Sequence, residues 1–513
     1  MFTRSRTALL FLVVSTLCCW QTLRAQSIPD LLQVRVSWSE SRADSPWNSR
    51  LQQSSMAAVA IKADTFVFFF PGPVEWIRSV RLVMEGSSEI SVAYQNHDDI
   101  LGLISVQIDK EALRLLRAGK IRPLALGQLQ DLPSSLAQAV QIWDPGTGSF
   151  EGGTVSRPGL QKTTGWPLIP QWQLGSLKPI QPGSLVLYQG KVLGLVTTVA
   201  ASPLTGQQPT QMLGVDWLKI YARLYANARP TELQRWPLRY RDSWHSRLLL
   251  PVFTSEPLHG PASRRYYGLN SASGAAIVTN VLQSRERSAR LDRQDLILAV
   301  NNKTLLADGS LDHPLYGKLS LEQWLVLVLN AKAGLAPTDR ISTFHLDVLR
   351  DRQRRQIRLA ALHAEGQSML VPGQLSMPAF FISGGLVFQE LSRRYIRQQV
   401  GPPLWMLRQL MDNRLVEKTD RRRIVFINRI LPLAVNQGYE TKNAQVLSVD
   451  GVIVRDLQHL YQLVSECQRQ GRDIVIGLAG GDRIVLDYKE LNNAAVAVRE
   501  QYGIPFLSQN LAE

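Results

Sequence analysis

The stretch of residues 180–196, IQPGSLVLYQGKVLGLV, constrains the fold most, because it predicts two short strands joined by a tight turn. Apolar residues fill most of segments 184–188 and 191–196, and Gln189-Gly190 separates the two segments. Glycine next to a polar residue is a common composition for a two-residue hairpin turn. The residues on both sides of this hairpin continue the same pattern, so the surrounding fold is predicted to be rich in β-strands.

Short apolar runs alternate with turn residues over residues 27–215, which predicts two successive sets of strands. The first set lies before residue 107, and the second lies between residues 123 and 215. Residues 216–225 then have the periodicity of a helix. Two barrels followed by a closing helix resemble the chymotrypsin-like architecture, so we expect a mainly β fold with a double β-barrel.

The composition is that of a globular protein with an excess of basic residues. The chain has 513 residues, 45% of them hydrophobic and 19% charged, and its formal net charge is +15. Arginines cluster within residues 350–358 and 421–423, but aromatic residues do not alternate with them as in a nucleic-acid-binding surface. We therefore expect no nucleic-acid partner, while weak contact with an anionic surface remains open. No cofactor is expected, and no group of residues has the spacing of a metal site.

The first residues resemble an export signal. Arg4 and Arg6 precede an apolar segment over residues 8–20, and Ala25 supplies a small residue for cleavage. This pattern predicts a signal peptide over residues 1–25 and a location in the bacterial periplasm, with a membrane anchor formed by an uncleaved signal as the alternative. Cleavage would remove Cys18 and Cys19 and leave Cys467, so no internal disulfide is expected.

Short motifs along residues 123–215 resemble landmarks of the HtrA/Deg serine proteases. They are PLALG at residues 123–127, GTVSR at 153–157, GKVLG at 190–194 and LGV at 213–215. Their order and spacing match that family, so the resemblance implies a trypsin-like domain over residues 27–226. It also implies a serine endopeptidase activity that depends on a His-Asp-Ser triad.

The residues of that triad are poorly matched. The resemblance implies a histidine after the strand predicted at residues 65–70, where the sequence is FPGPV at 70–74. His97, the only histidine between residues 27 and 225, comes too late in the order to act as the base. Asp99 is the best candidate for the acid and Ser184 for the nucleophile, but the glycine pair that would directly follow the serine in the family's loop is missing.

These departures predict a pseudo-protease, and an active endopeptidase with a rearranged triad is the alternative. We expect Ser184 to be a turn residue that opens a strand and His97 to be a polar loop residue. Asp98 and Asp99 are expected to form a solvated turn.

Residues 264–363 resemble a PDZ domain that follows a linker over residues 227–263. Tyr267-Gly268-Leu269 resembles the loop whose backbone amides bind a peptide carboxylate in PDZ domains. Residues 320–331 have the apolar periodicity of the helix that lies beside the peptide groove. The sequence therefore predicts a first peptide-binding site at Tyr267, Gly268 and Leu269.

Residues 375–510 resemble the second PDZ domain of plant-type Deg proteases. The resemblance is carried by PAFFISGGLVF at residues 378–388 and by YGIP at 502–505. It implies a second peptide-binding site, made by the residues of the loop and its strand: Gly384, Gly385, Leu386, Val387 and Phe388. The alternative is that the chain itself fills this groove, as the second PDZ domain does in the plant-type family.

The resemblance also implies the partners. A PDZ domain binds an extended peptide as an added strand, so we expect peptide C-termini, unfolded proteins or partner proteins as ligands. A homo-oligomer, such as a trimer, or a mixed oligomer with active Deg paralogues is expected. The predicted function is a scaffolding or regulatory role in protein quality control.

Overall fold

The structure is a computed structural model, and it describes residues 31–42, 45–72, 74–83, 89–109, 113–114, 126–127, 138–157, 169–176, 178, 180–198, 210–225, 246–269, 274–281, 291–331, 343–363, 370, 379–392, 395–396, 399, 401–411, 423–509 and 511. The predicted signal peptide, with Cys18 and Cys19, lies outside the described residues. So do residues 123–125 of the first family-like motif and residues 227–245 of the predicted linker.

The N-terminal unit is a seven-stranded antiparallel sheet in the order β5-β4-β1-β2-β3-β7-β6. Its inward-facing side chains form one apolar core that includes Val34, Phe66 and Leu82. The strands are β1 (Leu32–Arg42), β2 (Ser45–Lys62), β3 (Thr65–Phe69), β4 (Ile77–Val83), β5 (Glu89–Ser91), β6 (Ala93–Asp98) and β7 (Leu103–Gln107).

The second unit is a closed barrel in the order β10-β13-β12-β11-β8-β9, followed by a helix. The hairpin predicted at residues 184–196 forms β11 and β12, and both Gln189 and Gly190 have positive φ, as a type I′ turn requires. The elements are β8 (Gln138–Asp144), β9 (Ser149–Ser156), β10 (Trp172–Ser176), β11 (Leu185–Tyr188), β12 (Lys191–Thr198), β13 (Thr210–Gly214) and α1 (Val215–Tyr225).

The first PDZ domain begins earlier in the chain than the sequence predicts. β15 lies within the predicted linker over residues 227–263 but pairs with β16, so it belongs to the main sheet, whose order is β15-β16-β17-β21-β22. The elements are β14 (Leu249–Leu250), β15 (Phe253–Pro257), α2 (Pro261–Tyr266), β16 (Ala276–Val281), β17 (Leu296–Val300), β18 (Lys303–Thr304), β19 (Leu311–His313), β20 (Gly317–Leu319), α3 (Leu321–Ala331), β21 (Thr343–Arg350), β22 (Gln353–Ala360) and β23 (Leu362–His363).

The second PDZ domain contains an eight-stranded sheet in the order β30-β29-β27-β26-β25-β24-β31, with β28 paired to β27. Its elements are β24 (Phe380–Ser383), β25 (Leu386–Glu390), α4 (Leu404–Met411), β26 (Val425–Ile430), β27 (Ala444–Val449), β28 (Val452–Ile453), α5 (Leu457–Arg469), β29 (Ile474–Leu478), β30 (Arg483–Leu486), α6 (Leu491–Tyr502) and β31 (Ser508–Gln509). Cys467 is buried on the inner side of α5 as a free thiol.

The prediction of a mainly β chain with a chymotrypsin-like architecture and PDZ domains is confirmed, and the seven-stranded N-terminal sheet stands in the place of the first barrel and is called by that name below. The four units are also packed together. One apolar core runs from the closed barrel into the first PDZ domain and contains both Trp217 and Phe253. Trp47, near the tip of the β1–β2 hairpin, packs against Phe380 of the second PDZ domain.

None of the helices in the described part of the chain is both long enough and apolar enough to cross a membrane.

Candidate functional site

The candidate nucleophile, Ser184, is buried immediately before β11. Its exposed fraction is 0%, and its Oγ has no hydrogen-bond partner among the described residues. A serine nucleophile needs a base within hydrogen-bond distance and a route to the substrate. In this conformation Ser184 has neither, so its role is to start a buried strand, as expected for a turn residue.

The backbone amides around Ser184 are used inside the barrel. Gly183 N donates to Val196 O at 2.7 Å, and Ser184 N donates to Gln181 O at 3.2 Å. Gly183 O accepts a hydrogen bond from Ala57 N at 2.8 Å and so joins the two barrels. An oxyanion hole needs amide donors that point at the substrate, and these two amides point elsewhere.

His97 is not a polar loop residue, because it lies on β6 with an exposed fraction of 3%. Its Nδ1 is 2.6 Å from Tyr94 Oη, and its Nε2 is 3.2 Å from Asp99 Oδ1. Both ring nitrogens are therefore engaged with neighbours in or beside the same strand. Since Ser184 Oγ has no partner among the described residues, the structure does not bring His97, Asp99 and Ser184 together as a triad.

Asp98 corrects the prediction of a solvated turn at residues 98 and 99. It is 1% exposed, and its Oδ1 accepts hydrogen bonds from the backbone N–H groups of Ile100 and Leu101, both at 3.1 Å. Its Oδ2 accepts from Tyr225 Oη and Ser246 Oγ, both at 2.9 Å. Burial raises the pKa of the carboxyl to about 6, against the opposing effect of these hydrogen bonds.

The bonds of Asp98 join three separate parts of the chain. Tyr225 ends α1, and Ser246 precedes the first strand of the first PDZ domain. Arg247 N also lies 3.4 Å from Asp98 Oδ2, and the guanidinium of Arg247 stacks over the Tyr225 ring at 5.1 Å. The region of the expected catalytic acid thus holds a structural carboxylate that ties the first barrel to the PDZ domain.

The position expected for the catalytic histidine is occupied by the apolar core. Phe70 follows β3, is 2% exposed and contacts Trp38 edge to face at 5.4 Å. A phenylalanine side chain cannot transfer a proton, so the strand end that would present the base in a protease serves packing instead.

In the first PDZ domain, Tyr267, Gly268 and Leu269 do not form the predicted carboxylate loop. They follow the short helix α2, where Tyr267 N and Gly268 N donate to Ser263 O and Arg265 O. The strand at the sheet edge beside α3 is β15, and the residues that lead into it are 249–252. The prediction was wrong because the segment YGL has the composition of a carboxylate loop but not its position. In a PDZ domain the groove strand follows that loop, whereas here the groove strand, β15, comes before YGL in the chain.

The groove between β15 and α3 is closed by side chains from the helix. Glu322 is 3% exposed, and its Oε1 accepts from Ser255 N at 2.5 Å and from Ser255 Oγ at 2.7 Å. A peptide that added to β15 would need that backbone N–H. Burial raises the pKa of Glu322, and its hydrogen bonds with Ser255 act in the opposite direction.

Asn330 closes the other end of this groove. Its Oδ1 accepts from Leu249 N at 2.9 Å, and its Nδ2 donates to Leu249 O at 2.9 Å. Pro251 lies in the same segment and has no N–H to offer a carboxylate. Neither Glu322 nor Asn330 is predicted as a groove residue from the sequence, although each is a polar residue in a helix that is otherwise mostly apolar and buried.

In the second PDZ domain, β25 is an interior strand and not a free edge. It pairs with β26 on one side and with β24 on the other, and β24 runs antiparallel to it from Phe380↔Gln389 to Ser383↔Leu386. Gly384 and Gly385 form the connecting turn with φ values of +54° and +77°. The sequence left two alternatives for the groove at Leu386, Val387 and Phe388: an open groove that binds peptides, or a groove filled by the chain itself. In the structure the groove is filled by β24.

The strand that fills the groove is held on both sides. Phe381 lies between α5 and the sheet, since its ring contacts Tyr461 at 5.1 Å and Phe388 at 6.0 Å. On its outer edge, β24 pairs with β31, and Ile382 N donates to Leu507 O at 2.7 Å. A peptide tail would have to displace β24 to reach β25.

A buried asparagine fixes the turn before β25. Asn436 is 2% exposed, and its Nδ2 donates to Gly384 O at 2.7 Å and to Leu431 O at 2.8 Å. Its Oδ1 accepts from Leu433 N at 2.9 Å. Because every polar atom of this side chain is bonded to the backbone, Asn436 makes the turn part of the domain core.

The sequence is similar to a known domain and to plant proteases. The PDZ domain profile matches residues 373–508. The protein named putative protease Do-like 12, mitochondrial, of Arabidopsis thaliana is 23% identical over 257 residues, which cover 49% of this chain and 44% of that protein. The chloroplastic protease Do-like 2 of the same plant is 28% identical over 153 residues, which cover 30% of this chain and 23% of that protein.

The matches span less than half the length of these curated relatives. Among solved structures, an HtrA-type protease AlgW with a decapeptide is similar over 66% of this chain and 96% of its own, with a TM-score of 0.42 and 14% sequence identity. Residues 373–508 thus match a PDZ domain, and the sequence is similar to several Do-like proteases over up to half of the chain.

Proposed function

We propose that this chain is a non-proteolytic member of the HtrA/Deg family that acts by holding partner proteins. The observation that carries the proposal is the environment of Ser184, whose Oγ is buried and has no hydrogen-bond partner among the described residues. The engaged amides of Gly183 and Ser184 and the engaged ring of His97 support it further. Without a base, serine proteases lose several orders of magnitude in rate.

The partners proposed are peptide tails or folded proteins that bind the PDZ domains in an exported compartment. Both grooves are internally occupied in this conformation, the first by Glu322 and Asn330 and the second by β24. A tail that binds there pays for the displacement of these contacts, so its affinity is lower than for an open groove. Partner binding through other surfaces of the PDZ domains is compatible with both closed grooves.

The test is to treat the purified chain with a fluorophosphonate probe, which labels activated serines, and to assay cleavage of unfolded casein. We expect no labelling at Ser184 and no cleavage above background, because none of the described residues places a base within hydrogen-bond distance of its hydroxyl. A Ser184→Ala variant should behave as the wild-type chain does in both assays. Labelling that disappears in this variant would support the alternative, an active endopeptidase with a rearranged triad.

A further inference from the structure

The β21–β22 hairpin of the first PDZ domain leaves one long strand at the end of its sheet. β22 pairs with β21 over its whole length, and no described strand pairs with its outer edge. An unpaired edge presents a row of N–H and C=O groups that another extended chain can bind. The edge of β22 is therefore a site where a strand could be added.

The turn of this hairpin determines which residues present their backbone outward. Asp351 and Arg352 both have positive φ, at 51° and 62°, as in a two-residue type I′ turn. In such a hairpin, the pair next to the turn, Arg350 and Gln353, exchanges both hydrogen bonds, and pairs alternate from there. The N–H and C=O groups of Arg354, Gln356 and Arg358 consequently point to the free edge.

The same residues carry exposed polar side chains, two of which are basic. Arg354, Gln356 and Arg358 are exposed, whereas Ile357 and Leu359 on the opposite face of the strand are buried. Arg354 and Arg358 form no ion pair with a described residue. An incoming strand would therefore place alternate side chains beside two unpaired guanidinium groups, which favour carboxylates.

Two other sheet edges in the PDZ domains are capped by side chains. Ser255 N on β15 donates to Glu322, and Val485 N on β30 donates to Tyr439 Oη at 3.0 Å. None of the described side chains bonds to the outer edge of β22. The edge of β22 thus differs from these two in combining free backbone groups with an excess of positive charge.

We propose that the outer edge of β22 binds an extended acidic segment of a partner protein, which adds to the sheet as a further strand. The backbone selects an extended chain, and Arg354 and Arg358 select acidic residues four positions apart on one face of it. The same arginines repel basic strands, which limits pairing between copies of this chain. This proposal rests on the edge itself and does not depend on the state of the proteolytic residues.

The test measures the fluorescence anisotropy of two labelled peptides, TVEVTVEVT and TVKVTVKVT, with the full chain. We expect saturable binding of the glutamate peptide, about tenfold or more tighter than that of the lysine peptide, a difference of about 1.4 kcal/mol. Equal affinity for both peptides, or no binding of either, would overturn the proposal.

Two kinds of variant separate strand addition from simple charge attraction. Arg354→Glu with Arg358→Glu should reverse the preference, while Arg483→Glu, an exposed charge on the capped strand β30, should leave it unchanged. If the double charge reversal does not fold, Arg354→Gln with Arg358→Gln should abolish the preference. Preference for the glutamate peptide that survives in the folded variant contradicts the proposal.

Gln356→Pro removes an N–H that faces the free edge and none of the bonds to β21, so the domain should still fold, as circular dichroism will check. This variant should lose peptide binding while it keeps all of its arginines. Binding that is lost on charge reversal but unchanged in Gln356→Pro would identify a plain anion-binding patch and overturn strand addition.

Discussion

Asp98 is buried, ionisable and bonded through both of its carboxylate oxygens, so its protonation is linked to the stability of the fold. Burial raises its pKa from 3.8 to about 6. The folded state therefore binds a proton that the unfolded state releases between these two pH values. The contribution of Asp98 to the free energy of unfolding is largest below pH 4, falls as the pH rises towards 6 and is constant above that.

Asp98→Asn should reduce this pH dependence. Asparagine keeps an oxygen for the N–H groups of Ile100 and Leu101, and its amide can donate to the hydroxyls of Tyr225 and Ser246, which can rotate to accept. In the wild-type chain the free energy of unfolding decreases as the pH rises from 4 to 6. In Asp98→Asn we expect this decrease to be smaller by up to about 1.4 kcal/mol per pH unit. Chemical denaturation across this pH range measures it.

Asp98→Ala is the matched comparison, since it removes the acceptor as well as the charge. It leaves buried N–H and O–H groups without a partner, and we expect it to lower the free energy of unfolding by about 2–4 kcal/mol at every pH tested. If both variants keep the wild-type pH slope, then another buried carboxyl, such as Asp216 with its raised pKa of about 6, dominates the dependence.

At the level of single residues, the sequence showed which residue types are present or missing, but it did not show which polar side chains are buried. The absence of a histidine after β3 was visible in the FPGPV segment, because a missing residue type needs no structure to detect. The burial of His97 and Asp98 was not visible, since both are polar residues in a segment that resembles a turn. Asp98 is bonded to Tyr225 of α1 and to Ser246, which are distant in the sequence.

At the level of elements, the Gly384-Gly385 turn decides whether the second PDZ groove is open. Both glycines have positive φ, and the tight turn returns the chain so that β24 pairs with β25. The glycines were recognisable in the sequence, but the identity of the paired strand was not. Local composition specifies a turn, whereas the competing pairing with an external peptide depends on α5 and β31.

Gly385→Ala should destabilise this turn more than an ordinary glycine substitution does. A Cβ at Gly385 would lie 2.5 Å from both Leu431 O and Asn436 Nδ2, and the backbone φ is +77°. Gly481 is the matched control, because its φ is +90° and a Cβ there would have no neighbour within 4 Å. We expect the free energy of unfolding to decrease by about 1 kcal/mol in Gly481→Ala and by about 3 kcal/mol or more in Gly385→Ala.

Chemical denaturation measures the decrease in the free energy of unfolding for each variant, and hydrogen exchange shows which strands become less protected. In Gly385→Ala the amides of β24 should exchange faster than in the wild-type chain, because the strand is less firmly held. Equal losses in the two alanine variants would mean that the turn relaxes without cost and that β24 is not held in the groove by this geometry.

At the level of the whole molecule, the barrels and the PDZ domains are joined by both apolar and polar contacts. The closed barrel shares a core with the first PDZ domain, and Tyr316 of that domain donates to Asp216 Oδ2 at 2.5 Å. The predicted order of domains followed from the strand pattern and the family-like motifs. The contacts between domains could not be predicted, because residues such as Trp47 carry no local signal of the surface on which they pack.

Trp47 connects the first barrel to the strand that occupies the second PDZ groove. Its ring lies 5.9 Å from that of Phe380 in an edge-to-face contact, beside an apolar cluster that includes Leu431 and Val498. Trp47→Ala removes this contact from the side of the barrel. If the docked state loses about 1.4 kcal/mol of free energy, the population of molecules with an undocked second PDZ domain rises about tenfold.

Small-angle X-ray scattering should therefore show a larger radius of gyration for Trp47→Ala, and hydrogen exchange at β24 should become faster. Leu51→Ala is the control on the same hairpin, because Leu51 is 73% exposed and should leave both measurements unchanged. The two measurements separate two outcomes. Undocking of the second PDZ domain alone increases the radius of gyration, whereas release of β24 also speeds hydrogen exchange and exposes β25 to peptide tails. An unchanged radius with unchanged exchange would show that the hairpin does not hold the second PDZ domain, and that β24 keeps its place through β31 and Asn436 alone.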